Sequence, residues 1–240
     1  MPKYLDENGL AHFIEKNDAR YVRQVSGKGL STNDFTDEYK QMIDDLSYVK
    51  IAVNSMTATN SSNEIGSTVT ATDVAWTLNK EPKTQKIKFS SEPEEELETG
   101  VRSKSYTGKN VTSNAIIKLT VTDERDASVS KQVTISFQPK VYWGVSEKSS
   151  LESADILALA SSALAGSRGR TFSVNAAAGE YIYYVIPSSF GTPTFNVGGF
   201  DGGFIKVGTV SHKNASGYTQ DYDVWKSVNA GLGQTSVTVK

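Results

Sequence analysis

The sequence predicts a mostly β protein with a short N-terminal helical attachment or neck segment, an immunoglobulin-like β-sandwich and a C-terminal β-sandwich with one helix. Three observations predict it. Apolar residues recur at helical spacing up to residue 46, and they alternate with polar residues at period two from about residue 48. After residue 141, short apolar runs are separated by glycine-rich turns. The expected domains are 1–47, 48–140 and 141–240, with the helix near 153–165.

The N-terminal segment is expected to form two short amphipathic helices, because its apolar residues fall three, four and seven positions apart. Isolated helices below about 12 to 15 residues are marginal in water, so both apolar faces need a partner. Three partners are open: the following domain, further copies of the chain in a neck, or a larger assembly into which the segment docks. The expected assembly residues are Leu10, Phe13, Ile14, Phe35, Tyr39, Met42, Ile43 and Leu46.

The second zone alternates as half-buried strands do. Val74, Trp76 and Leu78 alternate with Ala75 and Thr77, and the same alternation holds for Ile117, Leu119 and Val121 and for the apolar residues of QVTISF. Polar turns such as SEPEEELETG separate the runs. Short strands at this spacing, without long helices between them, favour an antiparallel sandwich of immunoglobulin-like shape. The chain has no cysteine, so Trp76 is expected to fill the core without a cystine beside it.

The third zone opens with the run SSLESADILALASSALAG, which predicts a helix. Ser153 is the expected N-cap, Ile156, Leu157, Leu159, Ala160 and Leu164 give an apolar face, and Gly166 gives a C-terminal stop. The strands expected after it are RTFSVN, EYIYYVIP, FIKVGTVSH, YDVWKS and TSVTVK.

Composition excludes several function classes. The formal net charge is −2 with scattered lysines and arginines, which argues against a nucleic-acid partner. The absence of cysteine excludes disulfides and thiolate nucleophiles. The charged N-terminus has no apolar run of the kind found in secretion signals or membrane anchors, so we expect no membrane partner and synthesis in a cytosol.

Catalytic patterns are also missing, and we expect no enzyme activity, no metal and no cofactor. The two histidines, His12 and His212, are expected to be exposed or capping imidazoles. GGFDGG matches neither glycine-rich phosphate-binding pattern. The acidic run from Glu92 to Glu98 is expected to be a solvated loop, with a calcium site as the alternative.

The stretch TFNVGGFDGGFIKV is open to two interpretations. Paired glycines permit sharp corners, in which Phe200 and Phe204 turn into the core around Asp201. The alternative is a ligand-facing rim, in which stacking aromatic rings and a carboxylate share one face and bind a sugar. The residues expected to bind a glycan in that case are Phe200, Asp201, Tyr218, Tyr222 and Trp225.

Long parts of the chain resemble bacteriophage virion proteins. MPKYLDENGLAHFIEK and GKGLSTNDFTDEYKQMIDDL are similar to the N-terminal attachment and neck segments of tail-fibre, baseplate and head-fibre proteins. GSTVTATDVAWTLNKEP, SNAIIKLTVTDERDASVSKQVTISF and VYWGVSEKSSLESADILAL resemble their immunoglobulin-like module. RTFSVNAAAGEYIYYVIPSSFGTPTFNVGGFDGGFIKV and NASGYTQDYDVWKSVNAGLGQTSVTV are similar to the distal β-sandwich that often follows it.

The resemblance implies a homotrimeric structural protein of the virion, assembled in the cytoplasm of the host bacterium. Its N-terminal segment would bind other virion proteins, and its distal module would be displayed to the host surface, where a glycan is the expected partner. The chain lacks the repeated shaft of long fibres, which favours a compact fibre on the head, neck or baseplate. A spacer or capsid decoration without a ligand, a glycan-degrading enzyme and a host-encoded adhesin remain as alternatives.

Overall fold

The computed structural model describes residues 7–18 and 37–240. Within them the chain is mostly β, as the sequence predicts, with three short α-helices and seventeen strands. Two compact units are distinguished, residues 1–50 and 51–240. In the first unit α1 spans Glu7–Asp18 and α2 spans Asp37–Ser47.

The second unit begins with an eight-stranded module, called here the proximal module, made of two facing sheets. Its strands are β1 (Val53–Ala58), β2 (Ser62–Glu64), β3 (Thr72–Leu78), β4 (Thr84–Phe89), β5 (Glu95–Leu97), β6 (Ser103–Tyr106), β7 (Ala115–Thr122) and β8 (Ser128–Gln138). One sheet has the order β1-β3-β6 and the other β2-β8-β7-β4-β5. All pairs are antiparallel except β2 with β8, which is parallel.

The proximal core follows from the alternation of its strands. In β3, Thr72, Val74 and Trp76 are buried and the residues between them are exposed. Ile117 and Leu119 of β7 are fully buried and belong to the same apolar cluster. Trp76 is 2% exposed, which confirms that it fills this core. Its indole N–H donates to Oε1 of Gln85 at 3.3 Å, so its polar edge is satisfied inside the core.

The second, distal module follows at once. Its elements are β9 (Lys140–Ser146), α3 (Ser153–Ala158), β10 (Ser161–Leu164), β11 (Arg170–Ala176), β12 (Tyr181–Pro187), β13 (Phe195–Val197), β14 (Phe200–Asp201), β15 (Phe204–Lys213), β16 (Thr219–Ser227) and β17 (Gly233–Val239). A five-stranded sheet has the order β10-β9-β12-β16-β15, and a four-stranded sheet has the order β11-β17-β13-β14.

The five-stranded sheet is covered on both faces. Tyr184 and Ile186 of β12 lie in the core shared with the four-stranded sheet. Tyr183 and Val185 face the other way, into a cluster that includes Ile156 of α3. This double burial explains why YIYYVIP is almost continuously apolar.

The helix predicted near 153–165 is shorter than expected. It ends at Ala158, and Ser161–Leu164 pairs instead with β9 as an edge strand. Leu159 has an extended ψ of 140°, which ends the helix. The predicted N-cap is also displaced by one residue, because Glu152 occupies that position and forms a capping box with Asp155.

The two modules meet in a defined contact region, called here the joint. It comprises Glu64, Ile65 and Gly66 of the proximal module and Lys140, Tyr142, Asn214 and Tyr218 of the distal module. Lys140 Nζ lies 3.1 Å from Glu64 Oε2, and Asn214 Nδ2 donates to the carbonyl oxygen of Ile65 at 2.7 Å.

The polypeptide enters the proximal module at the end remote from the joint. The backbone N–H of Ile51 donates to Asp123 Oδ2, and Asp123 lies in the turn between β7 and β8. Strand β8 then runs 11 residues toward the joint, roughly 35 Å at 3.3 Å per residue. The entry point and the joint therefore occupy opposite ends of this module.

Candidate functional site: an N-terminal apolar stripe and a distal hairpin

The apolar faces of α1 and α2 are exposed. In α1, Leu10, Phe13 and Ile14 are 49–54% exposed, and this set is called the α1 stripe. Exposed contiguous apolar side chains mark interaction surfaces in soluble proteins. The α2 stripe consists of Tyr39, Met42, Ile43 and Leu46, each at least 50% exposed.

The spacing in α2 explains why the stripe is continuous. Side chains three, four and seven positions apart lie on one face of a helix, and Tyr39, Met42, Ile43 and Leu46 have these spacings. Asp37 and Glu38 occupy the first turn, where the helix dipole favours negative charge. Phe35, the remaining predicted assembly residue, lies outside the described residues.

The four-glycine stretch forms a tight hairpin, as the corner interpretation predicts. Gly198 and Gly199 have φ of 58° and 93° and form the two-residue turn between β13 and β14, in which Val197 faces Phe200. Phe204 stacks on Phe195 with ring centroids 4.2 Å apart. The expectation that Phe200 also turns into the core is wrong, because its side chain is 81% exposed at the hairpin.

The exposed end of this hairpin combines an aromatic ring with a carboxylate. Asp201 Oδ1 accepts from Asn196 Nδ2 at 2.8 Å, and Asn196 Oδ1 accepts from the backbone N–H of Gly199 at 3.2 Å. These bonds orient the carboxylate on one face of β14, whereas Phe200, the preceding residue of the strand, projects to the other face. The ring can stack on an apolar sugar face, and the carboxylate can accept a hydrogen bond from a hydroxyl on the other side of the hairpin. We call Phe200 and Asp201 the hairpin tip.

The other three residues of the predicted glycan site do not join the hairpin tip. Tyr222 is 2% exposed, and its hydroxyl donates to the carbonyl oxygen of Lys140 at 2.9 Å. Trp225 points from the opposite face of β16 into the inter-sheet core, 5.6 Å from the ring centroid of Phe195. The expectation of one shared face is therefore wrong for Tyr222 and Trp225.

Tyr218 lies in the joint rather than near the hairpin tip. Its Cβ lies against Gly66, and its side chain is 40% exposed. The turn that carries Tyr218 joins the ends of β15 and β16, at the end opposite to Phe204. A sugar held by Phe200 could not reach it within one small binding site.

An ion pair that the sequence analysis missed lies on the inner face of β15 and β16. Asp223 Oδ2 lies 2.8 Å from Lys206 Nζ, and Oδ1 accepts from Ser188 Oγ and Thr209 Oγ1 at 2.7 and 2.8 Å. Burial opposes ionisation, but these three hydrogen bonds together hold the pKa of Asp223 below its ordinary value. The signal in the sequence was an acid between the apolar residues Tyr222 and Val224 in a strand.

The acidic run of the proximal module is engaged by lysines. Lys109 Nζ lies 2.6 Å from Glu92 Oε1 and also sits over the ring of Phe89. Lys104 binds Glu95 at 2.5 Å. Among the described residues, no group of three or more histidine, aspartate or glutamate side chains is placed to hold a metal ion.

The prediction that His212 is an exposed or capping imidazole is wrong. The side chain is 0% exposed, and its Nδ1 lies 3.1 Å from Ser153 Oγ. A buried imidazole of this kind has no access to a substrate in solution. Within the part of the chain that the structure describes, no helix has the length and apolar character to cross a bilayer.

No protein-family model matches the sequence, and no curated protein matches it. A similar solved structure is chitinase ChiA74 from Bacillus thuringiensis, at 12% identity with a TM-score of 0.27. The similarity covers 78% of this chain and 26% of that chain, so this chain spans about a quarter of that protein. A likeness at this level carries no argument about fold or activity.

Proposed function

We propose that the protein is a non-enzymatic structural component of a bacteriophage virion appendage, anchored by residues 1–47 and displaying its two β modules to the host surface. The observation that carries the proposal is the exposure of both N-terminal stripes: each of their seven described apolar residues is at least 49% exposed. Such surfaces are stabilised by assembly. The resemblance of nearly the whole chain to phage fibre and baseplate proteins supports the same function.

The order of the two β modules along the chain supports the proposed display of their far end to the host surface. The chain enters the proximal module at the Asp123 end, and the joint lies at the other end of β8. In the distal module, the backbone N–H of Val228 donates to the carbonyl oxygen of Gly203, beyond the end of β16 that is remote from the joint. The hairpin tip, which leads into Gly203, therefore lies toward the outer end of the modules.

Attachment through the hairpin tip would depend on the number of copies. One ring and one carboxylate give a weak site, but linked copies engage a surface at high effective concentration and raise avidity by 10²–10⁴, as an order of magnitude. A homotrimer would present three hairpin tips. In this proposal the N-terminal stripes hold the copies together, and the linked copies bind the host surface more strongly than one copy does.

The first prediction concerns the α2 stripe. In the double variant Ile43→Gln/Leu46→Gln, we expect the assembled protein to fall to a monomer, about one third of the mass of a trimer. Glutamine keeps a high helix propensity but removes the apolar contact surface. Light scattering coupled to size-exclusion chromatography measures the change.

The matched control for the stripe is Asp44→Gln, because Asp44 lies on the polar side of the same helix. It should leave the mass unchanged. A wild-type monomer, or an unchanged oligomer in the double variant, would remove the stripe from the proposed assembly.

The second prediction concerns adhesion. Phe200→Ala should weaken binding to the glycans that the wild type recognises on an array by about tenfold or more, equivalent to about 1.4 kcal/mol. Phe200 is 81% exposed, so the free energy of unfolding should change by less than about 0.5 kcal/mol. Trp225→Ala is a poorer test, because it would open the inter-sheet core.

Leu232→Ala serves as the control for Phe200→Ala, since Leu232 is an exposed apolar residue outside the hairpin. It should bind as the wild type does. If Phe200→Ala also binds as the wild type does, the hairpin tip is not the contact. If the wild type binds no glycan, the spacer or decoration function replaces adhesion.

A further inference from the structure

A fully buried histidine of the distal module, His212, lies directly beside the joint. His212 meets the rings of Tyr142 and Tyr222 edge to face, with centroids 5.1 and 4.9 Å apart. Within the described residues, its Nε2 is buried and has no hydrogen-bond partner. Buried polar atoms without partners are rare, and each calls for a physical reason.

The surroundings of the two ring nitrogens disfavour the charged imidazolium. Ser153 Oγ accepts from the backbone N–H of Lys213 at 3.0 Å and lies 3.1 Å from Nδ1 of His212, within hydrogen-bond distance. An imidazolium carries a proton on both nitrogens, so its buried Nε2 would hold a charged N–H without an acceptor.

The charged and titratable groups around His212 are few. β2 contributes Glu64, whose carboxylate is 3.1 Å from Lys140 Nζ and 3.4 Å from the hydroxyl of Tyr142. β16 contributes Tyr222, and burial raises its pKa to about 12, so it stays neutral. Burial also raises the pKa of Tyr142 on β9.

The remaining neighbouring elements add little charge next to the imidazole. α3 contributes the hydroxyl of Ser153, while its Asp155 is engaged by Lys148. On β15 itself, Lys213 is exposed. Burial lowers the pKa of His212, and this effect outweighs the opposing contributions of the Ser153 backbone and of the negative charge of Glu64.

His212 is adjacent to both connections that cross the joint. Two residues after it, Asn214 donates to the carbonyl oxygen of Ile65 and also accepts from the backbone N–H of Tyr218. On the other side, Tyr142 contacts the imidazole with its ring and reaches Glu64 with its hydroxyl. A displacement of the imidazole would therefore move groups on both sides of the contact.

We propose that the joint is a pH-sensitive lock, which holds the two modules together while His212 is neutral and releases them when the imidazole takes up a proton. The sign follows from linkage. The released state takes up the proton near pH 6.5 and the closed state only at lower pH, so the closed state loses stability as the pH falls below about 6.5. This inference does not depend on the proposed virion function.

The test measures the distance between the modules in the full chain. Because the protein has no cysteine, Ser105→Cys and Ser173→Cys, at exposed positions of β6 and β11, place one spin label in each module. Dilution with unlabelled protein suppresses distances between chains. We expect a narrow distance distribution at pH 7.5 and a broad one at pH 5, with the distal module still folded by its tryptophan fluorescence.

The two histidines give a matched pair of variants. His212→Gln should keep the narrow distribution at both pH values, whereas His12→Gln should respond as the wild type does, since His12 is exposed. A distribution that stays narrow at pH 5 in the wild type would overturn the proposal. So would broadening that persists in His212→Gln, or unfolding of the whole distal module together with the joint.

A second measurement decides the matter if His212→Gln does not fold. An NMR titration of the unaltered protein follows the imidazole of His212. Linkage requires that His212 take up its proton below the pH of about 6.5 at which an unperturbed imidazole does, in step with the broadening of the distance distribution. Protonation of His212 at or above about pH 6.5 would overturn the lock.

Discussion

Gly66→Ala is expected to destabilise the protein by about 2–5 kcal/mol and to loosen the joint. Gly66 has φ of +88°, and a left-handed conformation costs an L-residue about 1–2 kcal/mol. A Cβ at this position would also lie 2.4 Å from Tyr218 Cβ. Relieving such an overlap by moving the backbone costs about 1–3 kcal/mol more. Urea unfolding measures the loss, and small-angle scattering reports the looser joint.

Gly108→Ala separates these two costs. Gly108 also has a positive φ, of 67°, but no atom lies within 4 Å of a Cβ built there. Gly108→Ala should lower the free energy of unfolding only by the conformational cost of a positive φ, about 1–2 kcal/mol. The small-angle scattering should not change. Equal losses in the two variants would mean that Tyr218 does not press on Gly66, and the joint would then be less tightly packed than the structure indicates.

Strands β3, β4, β7 and β8 of the proximal module were predictable, whereas β5, which lies in the acidic run expected to be a loop, and the end of α3 were not. A strand that buries one face alternates apolar and polar residues along the sequence. This alternation is visible in the residues on either side of Val74, Trp76 and Ile117. Leu159 and Leu164 fit a helical face equally well. What decides the structure of Ser161–Leu164 is the open edge of β9, which needs backbone partners, and a local pattern contains no information about that edge.

The predicted glycan site shows a different limit. Tyr222 and Trp225 are three positions apart in a strand, so the period-two rule already places them on opposite faces. This error was avoidable. The place of Tyr218 was not predictable, because the joint connects residues far apart in sequence: Asn214 and Ile65 are separated by 149 positions. The exposure of Phe200 depends on where β14 ends, which glycines alone do not fix.

The entry point of the proximal module depends on one buried carboxylate. Asp123 is 0% exposed, and its Oδ1 accepts from the backbone N–H groups of Arg125 and Ala127, both at 3.0 Å. Its Oδ2 accepts from the N–H of Ile51 at 3.2 Å and lies 3.6 Å from Lys80 Nζ. The same side chain therefore shapes the β7–β8 turn and fixes the first residue of the second unit.

Asp123→Ala is accordingly expected to cost about 3–5 kcal/mol, the range found when one partner of a buried charged network is removed. Three backbone N–H groups would lose their acceptor, and each buried donor left unsatisfied costs about 1–3 kcal/mol unless water reaches it. Denaturant unfolding measures the total, and hydrogen exchange at the N–H of Ile51 reports the entry point directly. Exchange there should accelerate more than exchange in the core strand β7.

Glu124→Ala is the matched control, because Glu124 is the next residue, pairs with the same Lys80 and has an exposed side chain. An exposed ion pair contributes little to stability because water and salt screen it, so this variant should be nearly neutral. Asp123→Asn should fall between the two, since it keeps one acceptor oxygen but turns an N–H₂ toward backbone donors. Equal costs for Asp123→Ala and Glu124→Ala would show that the hydrogen bond to Asp123 is not what holds Ile51 at the entry point.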